Sequence, residues 1–223
     1  MTILLSNEDV TRLLTMPECI AALEEARVEL AEGRGVNRIR SDCLVPVKDR
    51  PEALYGLKSM DGVIPKFGIG AVRIDSDVVT WPKRGNTMRR EKVPAAGGRW
   101  VGLVLLFSCE NGEPLAILPA GVMQRMRVGG TSGLGAKYMA REDAHSVGIL
   151  GSGWQAGSQL MAIRAVREIT SIRCFSPSKE NREKFCKEMS ETLGIEVQPV
   201  DTAEGAIKGA DIVMCATNTI DNI

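Results

Sequence analysis

A glycine turn at residues 151–156, with the sequence Gly-Ser-Gly-Trp-Gln-Ala, constrains the fold of this chain more than any other stretch. The apolar run 146–150 precedes the turn, and Leu160, Ile163 and Val166 follow it at helical spacing. Strand, glycine turn and helix in this order match the G-x-G-x-x-G/A pattern of dinucleotide sites. An ordinary strand–helix turn is the alternative for a glycine pattern alone, but the elements on both sides favour a dinucleotide site.

Each small residue of the turn has a mechanical role in such a site. Gly151 permits the sharp turn out of the strand, Gly153 lets a pyrophosphate approach the backbone, and Ala156 lets the helix pack closely on the strand. The helix N-terminus offers N–H groups and partial positive charge to the phosphates. We therefore predict cofactor contacts from Gly151, Gly153, Trp154, Gln155 and Ala156.

The sequence after the turn alternates between strand and helix patterns. It predicts strands at residues 171–176, 196–200 and 211–217, and helices at residues 179–193 and 202–209. Short connections of this kind predict a Rossmann-type, doubly wound parallel sheet with strand order 3-2-1-4 and a ligand beside its first strand. Ala216 and Thr217, which end the fourth strand, join the expected dinucleotide site. The apolar composition of that strand predicts burial on both faces.

The chain ends a few residues after this predicted fourth strand, at Ile223. A complete fold of this class has about two more strands. We therefore expect the chain to be part of a longer protein, so the parallel sheet is expected to be incomplete.

The end of the predicted second strand indicates which dinucleotide binds. NAD-specific folds place an Asp or Glu there, which accepts hydrogen bonds from the ribose 2′-hydroxyl. This chain has no carboxylate at the strand tip but has two hydroxyls and two cations, from Ser176, Ser178, Lys179 and Arg182. Because these groups suit a 2′-phosphate, we predict a preference for NADP(H), with NAD(H) also able to bind. The alternative is that Ser178 only caps the next helix and that Lys179 and Arg182 belong to a solvated face.

The first half of the chain predicts a separate α+β domain. Capping-box patterns at residues 6–9 and 15–18 precede helices, and the second helix places apolar residues on one face at Ile20, Leu23, Ala26 and Leu30. Later segments predict strands at residues 36–45, 68–75, 100–107 and 114–118, with a hairpin turn at residues 110–113. The basic, glycine-rich stretch 81–99 is expected to be an exposed loop.

A helix predicted from about residue 123 to residue 140 joins the two halves. It keeps four poor helix formers, Gly129, Gly130, Gly133 and Gly135. Such a helix requires close approach to another element or to a cofactor. We therefore expect an α/β protein with an α+β domain at residues 1–126 and the Rossmann-type domain at residues 127–223.

Composition excludes several classes of function. Lys and Arg total 28 and so do Asp and Glu, which gives no basic surface for nucleic acid. No apolar run approaches the roughly 20 residues that cross a bilayer, and the N-terminus lacks a signal-peptide pattern. The six cysteines have no C-x-x-C spacing, and a single histidine, His145, gives no basis for a metal site. A reducing cytoplasm is the expected location.

Three segments resemble the ornithine cyclodeaminase/mu-crystallin family, namely residues 110–118, 125–132 and 148–156. They are similar to its "TG-x-PLA" hairpin, "RTaA" helix start and "GtGxQA" nucleotide loop, in that order. The resemblance implies an NAD(P)-binding domain and a substrate-binding domain that forms a homodimer. It also implies hydride transfer at Cα of an α-amino or α-imino acid, as in ornithine cyclodeaminases and in ketimine or pyrroline-2-carboxylate reductases. A non-catalytic dinucleotide- or ligand-binding protein of the crystallin type is the alternative.

The resemblance also implies substrate-binding residues. Arg127 matches the family arginine that holds the substrate carboxylate, and Arg40 resembles an upstream arginine with the same task, with Arg38 as its alternative. Arg73 falls where many members carry a lysine near the substrate. Val128 replaces the threonine of the "RTaA" signature, and the family's catalytic aspartate would lie beyond the last residue, so the catalytic group stays unknown.

Overall fold

The computed structural model describes residues 1–84, 87–94 and 102–219, and the chain forms two compact units. The first unit comprises Met1–Thr15, Glu24–Gln124 and a short segment that starts at Asn218. The second comprises Met16–Leu23 and Arg125–Thr217. In the part of the chain that the structure describes, no helix is long and apolar enough to cross a membrane.

The first unit is built on a largely antiparallel sheet preceded by helix α1 (Asn7–Leu13) and by the second half of α2 (Met16–Ala31), whose segment Met16–Leu23 belongs to the second unit. Its strands are β1 (Ile3–Leu4), β2 (Val36–Asn37), β3 (Ser41–Val47), β4 (Arg50–Ile64), β5 (Ile69–Thr80), β6 (Lys83–Arg84), β7 (Thr87–Met88), β8 (Glu91–Val93), β9 (Gly102–Ser108) and β10 (Pro114–Pro119). The main sheet has the order β1-β10-β9-β5-β4-β2. In addition, β3 pairs with β4 and β8 pairs with β5, whereas β6 and β7 pair with each other.

The two longest strands, β4 and β5, form the centre of this sheet. They stay in register from the pair Leu54–Val79 to the pair Ile64–Ile69, and a 3-10 turn at Pro65–Phe67 joins them. The sequence pattern predicts no strand at residues 50–64. The buried face of β4 carries Gly56 and Lys58 instead of apolar residues, so the alternating signal of a half-buried strand is missing there.

Two other expectations for the first unit are wrong in part. The predicted strand 36–45 is interrupted between β2 and β3, and the predicted loop 81–99 contains the short strands β6, β7 and β8. β8 pairs with β5 at Val78–Thr80, on the edge that β9 occupies at Ile69–Asp75. β8 therefore supplies hydrogen-bond partners for the end of β5 that β9 does not reach. Residues 85–86 and 95–101 lie outside the described residues.

The predicted capping box at the start of α1 is confirmed. Ser6 Oγ accepts a hydrogen bond from Asp9 N at 3.1 Å, and the Asp9 carboxylate accepts one from Ser6 N at 2.9 Å. Val10 of α1 then packs in a small core with β9 and β10. On the opposite face of the sheet, five apolar side chains are 39–62% exposed, and we call them the outer apolar face: Val36, Val45, Leu57, Val63 and Leu103.

The second unit contains a parallel sheet covered by helices. Its elements are α3 (Ala120–Met139, whose first turn belongs to the first unit), β11 (Ser146–Leu150), α4 (Trp154–Val166), β12 (Ser171–Phe175), α5 (Lys179–Leu193), β13 (Val197–Pro199), α6 (Ala203–Ile207) and β14 (Ile212–Cys215). The order β13-β12-β11-β14 confirms the predicted 3-2-1-4 arrangement, and all pairings are parallel.

The core of this unit packs against β11, where Val147 and Ile149 on one face are at most 1% exposed and Leu150 on the other face is 6% exposed. The prediction that the fourth strand is buried on both faces is wrong. Met214 of β14 is buried in the core, but Val213 is 50% exposed and Cys215 is also exposed. Successive side chains of a strand point to opposite faces, and only one face of β14 packs on the core.

The glycines of α3 do allow close helix approach, as predicted. A Cβ on Gly129 would lie 2.4 Å from the carbonyl oxygen of Ser158 in α4. A Cβ on Gly130 would lie 2.7 Å from Leu23 of α2. Gly135 differs from these two, since a Cβ there would meet nothing within 4 Å. α3 therefore packs against both neighbouring helices of its unit with little space between the backbones.

Asp211 ties the start of β14 to the start of β11. Its Oδ2 accepts hydrogen bonds from Ser146 N at 3.0 Å, Ser146 Oγ at 2.6 Å and His145 N at 3.1 Å. Arg141 adds an ion pair to the same carboxylate. The Ser146 hydroxyl and the backbone N–H groups together lower the pKa of Asp211 to about 2. The single histidine stands beside this carboxylate with its side chain 65% exposed.

We expect Gly129→Ala to destabilise the second unit by about 1–3 kcal/mol, because the new methyl group has to push α3 away from α4. Gly135→Ala is the matched control. It should stabilise the protein by roughly 0.5–1 kcal/mol, because it improves helix propensity without a clash. Urea denaturation measures both. Equal effects of the two substitutions would contradict the close helix contact.

The lowered pKa of Asp211 also predicts a pH dependence. The folded carboxyl has a pKa of about 2 and the usual value is 3.8, so its stabilising effect is complete above pH 4 and is lost as the pH falls toward 2. Asp211→Asn should lower the unfolding free energy at pH 7 and flatten its decline between pH 4 and pH 2. Asp143→Asn, with a side chain 83% exposed, is the control and should keep the wild-type decline. Urea titrations across this range decide between these outcomes.

Candidate functional site

The glycine turn lies where the carboxyl ends of three parallel strands meet. Gly151 N donates to Phe175 O and Ala216 N donates to Leu150 O, each at 2.8 Å. Gly151 has a φ of 114°, and a Cβ there would lie 2.3 Å from Ala216 O. The fold itself therefore requires glycine at this position. Of the predicted contact residues, Ala216 and the exposed Thr217 lie at this same edge.

Gly153 shows the opposite situation, because the fold does not require it. Its φ of −87° suits any residue, and a Cβ would meet nothing within 4 Å. Gly153 is the N-cap of α4 and has no side chain to cap the first amides of that helix, so the positive end of the helix borders the open space beside Gly153. Gln155 is half-buried, and Ala156, which is fully buried, packs the helix on the sheet. Open space at a helix N-terminus fits a pyrophosphate.

A cation that sequence analysis did not select lies beside the first turn of α4. The guanidinium of Arg125 stacks 4.5 Å from the ring centroid of Trp154, and its Nε donates to Trp154 O at 3.1 Å. Burial lowers the pKa of Arg125 from its usual value. A Cβ on Gly157 would lie 2.7 Å from Arg125 Nη2, so the small residue makes room for the guanidinium. In the sequence, this cation is indicated only by its residue type and by its position two residues before Arg127.

The residues predicted to determine the preference between NAD and NADP lie just after β12 and in the first turn of α5. Ser176 is 8% exposed, and its Oγ accepts a hydrogen bond from Ser152 Oγ of the glycine turn at 2.9 Å. Ser178 is the N-cap of α5, and its Oγ accepts from Asn181 N at 3.3 Å. Ser178 therefore caps α5, and Ser176 is linked to the glycine turn.

The two cations of this predicted set differ in exposure. The Lys179 side chain is 76% exposed, and its Nζ lies 3.8 Å from Glu183. The Arg182 side chain is 6% exposed, and it donates to Ser176 O at 2.8 Å and to Asp201 Oδ1 at 2.6 Å. The alternative interpretation of Arg182 as part of a solvated face is therefore wrong. Its guanidinium is buried and hydrogen-bonded to other residues of the second unit.

Two of the arginines expected to bind substrate lie in the first unit, each next to an aspartate. Arg40 donates to Asp42 Oδ2 through Nε at 3.1 Å and Nη2 at 2.7 Å, with its side chain 54% exposed. Arg73 is 16% exposed, and its Nη2 donates to Asp75 at 2.6 Å and to Gln124 Oε1 at 2.8 Å. Arg40 is therefore accessible, whereas Arg73 is held by the protein.

The other two arginines, Arg38 and Arg127, are both exposed. Arg38, the alternative to Arg40, is exposed and lies 3.8 Å from Asp61. Arg127 is exposed on α3 in the second unit, and its carbonyl oxygen accepts from Thr131 Oγ1 at 2.9 Å. Val128 is half-buried beside it.

A buried charge network on the sheet of the first unit was missed by sequence analysis. Lys58 Nζ lies 2.5 Å from Asp77 Oδ1, and Lys92 Nζ lies 2.7 Å from Asp77 Oδ2. Gly56 stands directly opposite Asp77, so the Lys58 side chain can cross over it. Burial raises the pKa of Asp77, but hydrogen bonds from both lysines outweigh it and keep the pKa below its usual value. The sequence pattern does not reveal this network, because it does not predict β4, the strand that carries Lys58.

Within residues 1–84, 87–94 and 102–219, no group of three His, Cys, Asp or Glu side chains is arranged to hold a metal ion. The site elements of the second unit are hydrogen-bond donors and positive charge at the carboxyl edge of a parallel sheet. These elements suit the binding of phosphate groups rather than nucleophilic chemistry.

A glycine turn at this edge, followed by an uncapped helix N-terminus, defines a fold of the Rossmann dinucleotide-binding class. The chain belongs to the ornithine cyclodeaminase/mu-crystallin family, which matches residues 1–223. The expected family and fold class are thus confirmed. The chain is 28% identical over 216 residues to Delta(1)-pyrroline-2-carboxylate reductase of Bacillus cereus, covering 97% of this chain and 62% of that protein.

Solved structures with a similar fold include the following two. Thermococcus litoralis Delta(1)-pyrroline-2-carboxylate reductase, in complex with NADH and L-proline, gives a TM-score of 0.79 at 30% identity, over 97% of this chain and 62% of that chain. An archaeal alanine dehydrogenase dimer with bound NAD gives a TM-score of 0.77 at 27% identity, over 97% and 60%. The chain spans about three fifths of the length of these relatives.

Gly153→Ala should separate the needs of the fold from those of a ligand. The fold has space for the methyl group, so the loss of stability should stay below about 1 kcal/mol, as expected for an N-cap change. A pyrophosphate that approaches the backbone would be obstructed, so the affinity for NADH and NADPH should fall about tenfold or more. Fluorescence titration measures the affinity. Gly135→Ala, also made into open space, is the control and should leave the affinity unchanged.

Proposed function

We propose that this chain forms the dinucleotide-binding and substrate-binding parts of an NAD(P)-dependent oxidoreductase acting at Cα of an α-amino or α-imino acid. The observation that carries the proposal is Gly153, a glycine that the fold does not require, at an uncapped helix N-terminus. Relatives named pyrroline-2-carboxylate reductase and alanine dehydrogenase support the substrate class. Since the chain spans 62% of the former relative, the activity proposed is that of the whole protein.

In this proposal the second unit binds and orients the dinucleotide. The residues of the glycine turn and the first amides of α4 would hold the pyrophosphate, and Arg125 adds positive charge beside Trp154. Ala216 and Thr217 would border the dinucleotide at the end of β14. When bound, the nicotinamide ring supplies the hydride acceptor or donor. The protein contributes orientation and electrostatics to that transfer.

The substrate carboxylate would be bound by arginine, which matches a carboxylate with two parallel hydrogen bonds. Arg127 and Arg40 are both exposed, so we propose each of them as a carboxylate ligand. Arg73 is held by Asp75 and Gln124, so we give it a supporting role near the substrate. As a separate proposal, residues 1–126 form the substrate-binding and dimerisation domain, and residues 127–223, which begin with Arg127, form the dinucleotide domain.

The activity is tested by the absorbance of NAD(P)H in the presence of a cyclic imino acid, measured on the whole protein. We expect imino-acid-dependent oxidation, which Arg127→Ala should reduce by roughly 100-fold through loss of a charged carboxylate contact. Dinucleotide affinity should not change. Arg12→Ala, with a side chain 76% exposed on α1, is the control and should retain activity. Dinucleotide binding without turnover of any imino or amino acid would instead support a non-catalytic binding protein.

We also propose that NADP(H) binds more tightly than NAD(H). The tip of β12 carries Ser176 in place of a carboxylate, and the exposed Lys179 follows at the start of α5. A 2′-phosphate carries up to two negative charges and would gain charged hydrogen bonds there. The two solved structures described above contain NADH and NAD, so the preference rests on these residues of this chain alone.

Lys179→Gln should weaken NADPH binding about tenfold, the usual cost of losing a hydrogen bond between charged groups, and leave NADH binding unchanged. Lys184→Gln is a close control, because it lies on the same helix with a side chain 74% exposed and a comparable glutamate partner. It should change neither affinity. Equal affinities of the wild-type protein for NADH and NADPH would contradict the proposed preference.

We further propose a homodimer in the cytoplasm. The outer apolar face of the first unit supports dimerisation, since contiguous exposed apolar side chains on a sheet often mark an interface. The similar archaeal alanine dehydrogenase structure is that of a dimer. Exposed thiols at Cys43, Cys109 and Cys215 support a reducing compartment.

A further inference from the structure

A chain of hydrogen bonds links the glycine turn to the end of β13. Ser152 Oγ donates to Ser176 Oγ at 2.9 Å, and Arg182 Nη1 donates to Ser176 O at 2.8 Å. Arg182 Nη2 then donates to Asp201 Oδ1 at 2.6 Å. Ser176 is thus held on both sides, through its side chain by the turn and through its main chain by Arg182.

Arg182 is placed to support the protein rather than to contact a ligand. Its side chain is 6% exposed, and its guanidinium lies 5.9 Å from the ring centroid of Phe175, the last residue of β12. A buried charge is tolerated only when it is paired and hydrogen-bonded. Turning toward a phosphate would break the bonds to Ser176 and Asp201 that make this burial tolerable.

The same bonds determine what Ser176 can offer. Its Oγ already accepts from Ser152, so its own hydroxyl hydrogen remains available for donation. An acceptor on the ribose, either a 2′-hydroxyl oxygen or a 2′-phosphate oxygen, can receive that hydrogen bond. Both NADH and NADPH carry such an acceptor, so a correctly placed Ser176 serves both.

We propose that Arg182 and Asp201 are positioning residues that fix Ser176 for the ribose of the dinucleotide. The inference rests on the proposed dinucleotide function and changes the role expected for Arg182, from a direct phosphate ligand to a support. Asp201, with a side chain 90% exposed, is the external counter-ion that keeps the guanidinium oriented. The preference for NADPH over NADH then depends on Lys179 and on the hydroxyls of Ser176 and Ser178.

Arg182→Gln separates these two roles. A positioning residue affects every dinucleotide, so the affinities for NADH and NADPH should fall by the same factor, about tenfold, and their ratio should not change. A direct phosphate ligand would weaken NADPH alone, and that result would overturn the proposal. Arg182→Lys keeps the charge but not the two-armed geometry, so it should restore only part of both affinities. Lys184→Gln on the same helix controls for loss of surface charge.

A second variant keeps the test decisive if Arg182→Gln does not fold. Asp201→Asn changes an exposed residue and should lower both affinities by a smaller common factor. Without any ligand, it should also speed amide hydrogen exchange at residues 176–179, because the support of Ser176 is loosened. Unchanged exchange and unchanged affinities would overturn the proposal. A wild-type protein that binds neither NADH nor NADPH would contradict the proposed function, whereas the exchange result would still report on the support of Ser176.

Discussion

The convergence of β11, β12 and β14 on Gly151 is the contact on which the described site depends. The turn is hydrogen-bonded to the strand on each side, and a side chain on Gly151 would collide with Ala216 O. Gly151 also has a positive φ, which glycine adopts easily, so both the backbone conformation and the lack of space require glycine here. The next residues start α4 at the carboxyl edge of the sheet, where its N-terminus lies beside open space. The location of the candidate site is thus a consequence of strand packing.

The first unit depends on a different constraint, the burial of charge on a sheet face. Lys58 and Asp77 have side chains at most 7% exposed, and a buried ion pair of this kind adds little net stability compared with apolar packing. Removing one member would leave the other charged and unpaired, which is costly. The network therefore fixes the orientation of Lys58, Asp77 and Lys92 on this face.

Most of the second unit could be predicted because its sequence repeats apolar strands and amphipathic helices with short connections. The bounds of α5 agree with the prediction at both ends, since Ser178 caps the helix and Gly194 ends it in the left-handed conformation. In the first unit, β4 could not be recognised because Gly56 and Lys58 occupy its buried face. The burial depends on Asp77, which is brought opposite by a hairpin and is not adjacent in sequence.

For the candidate site, the local features could be predicted from the sequence, but the long-range contacts could not. The glycine turn and the cap at Ser178 are local, so their pattern identifies them. The surroundings of Arg182 depend on Asp201, 19 residues further along the chain, and the stacking of Arg125 on Trp154 joins residues 29 positions apart. Contacts of this range are created by tertiary packing, so residue type alone predicts the charge but not what it binds.

Amide hydrogen exchange with and without saturating NADPH tests the central claim most directly, because it locates the ligand without requiring catalysis. The account predicts slower exchange at residues 151–157, where the turn leads into α4, and at residues 176–179. Exchange that is unchanged in both segments, or slowed only in the first unit, would contradict it.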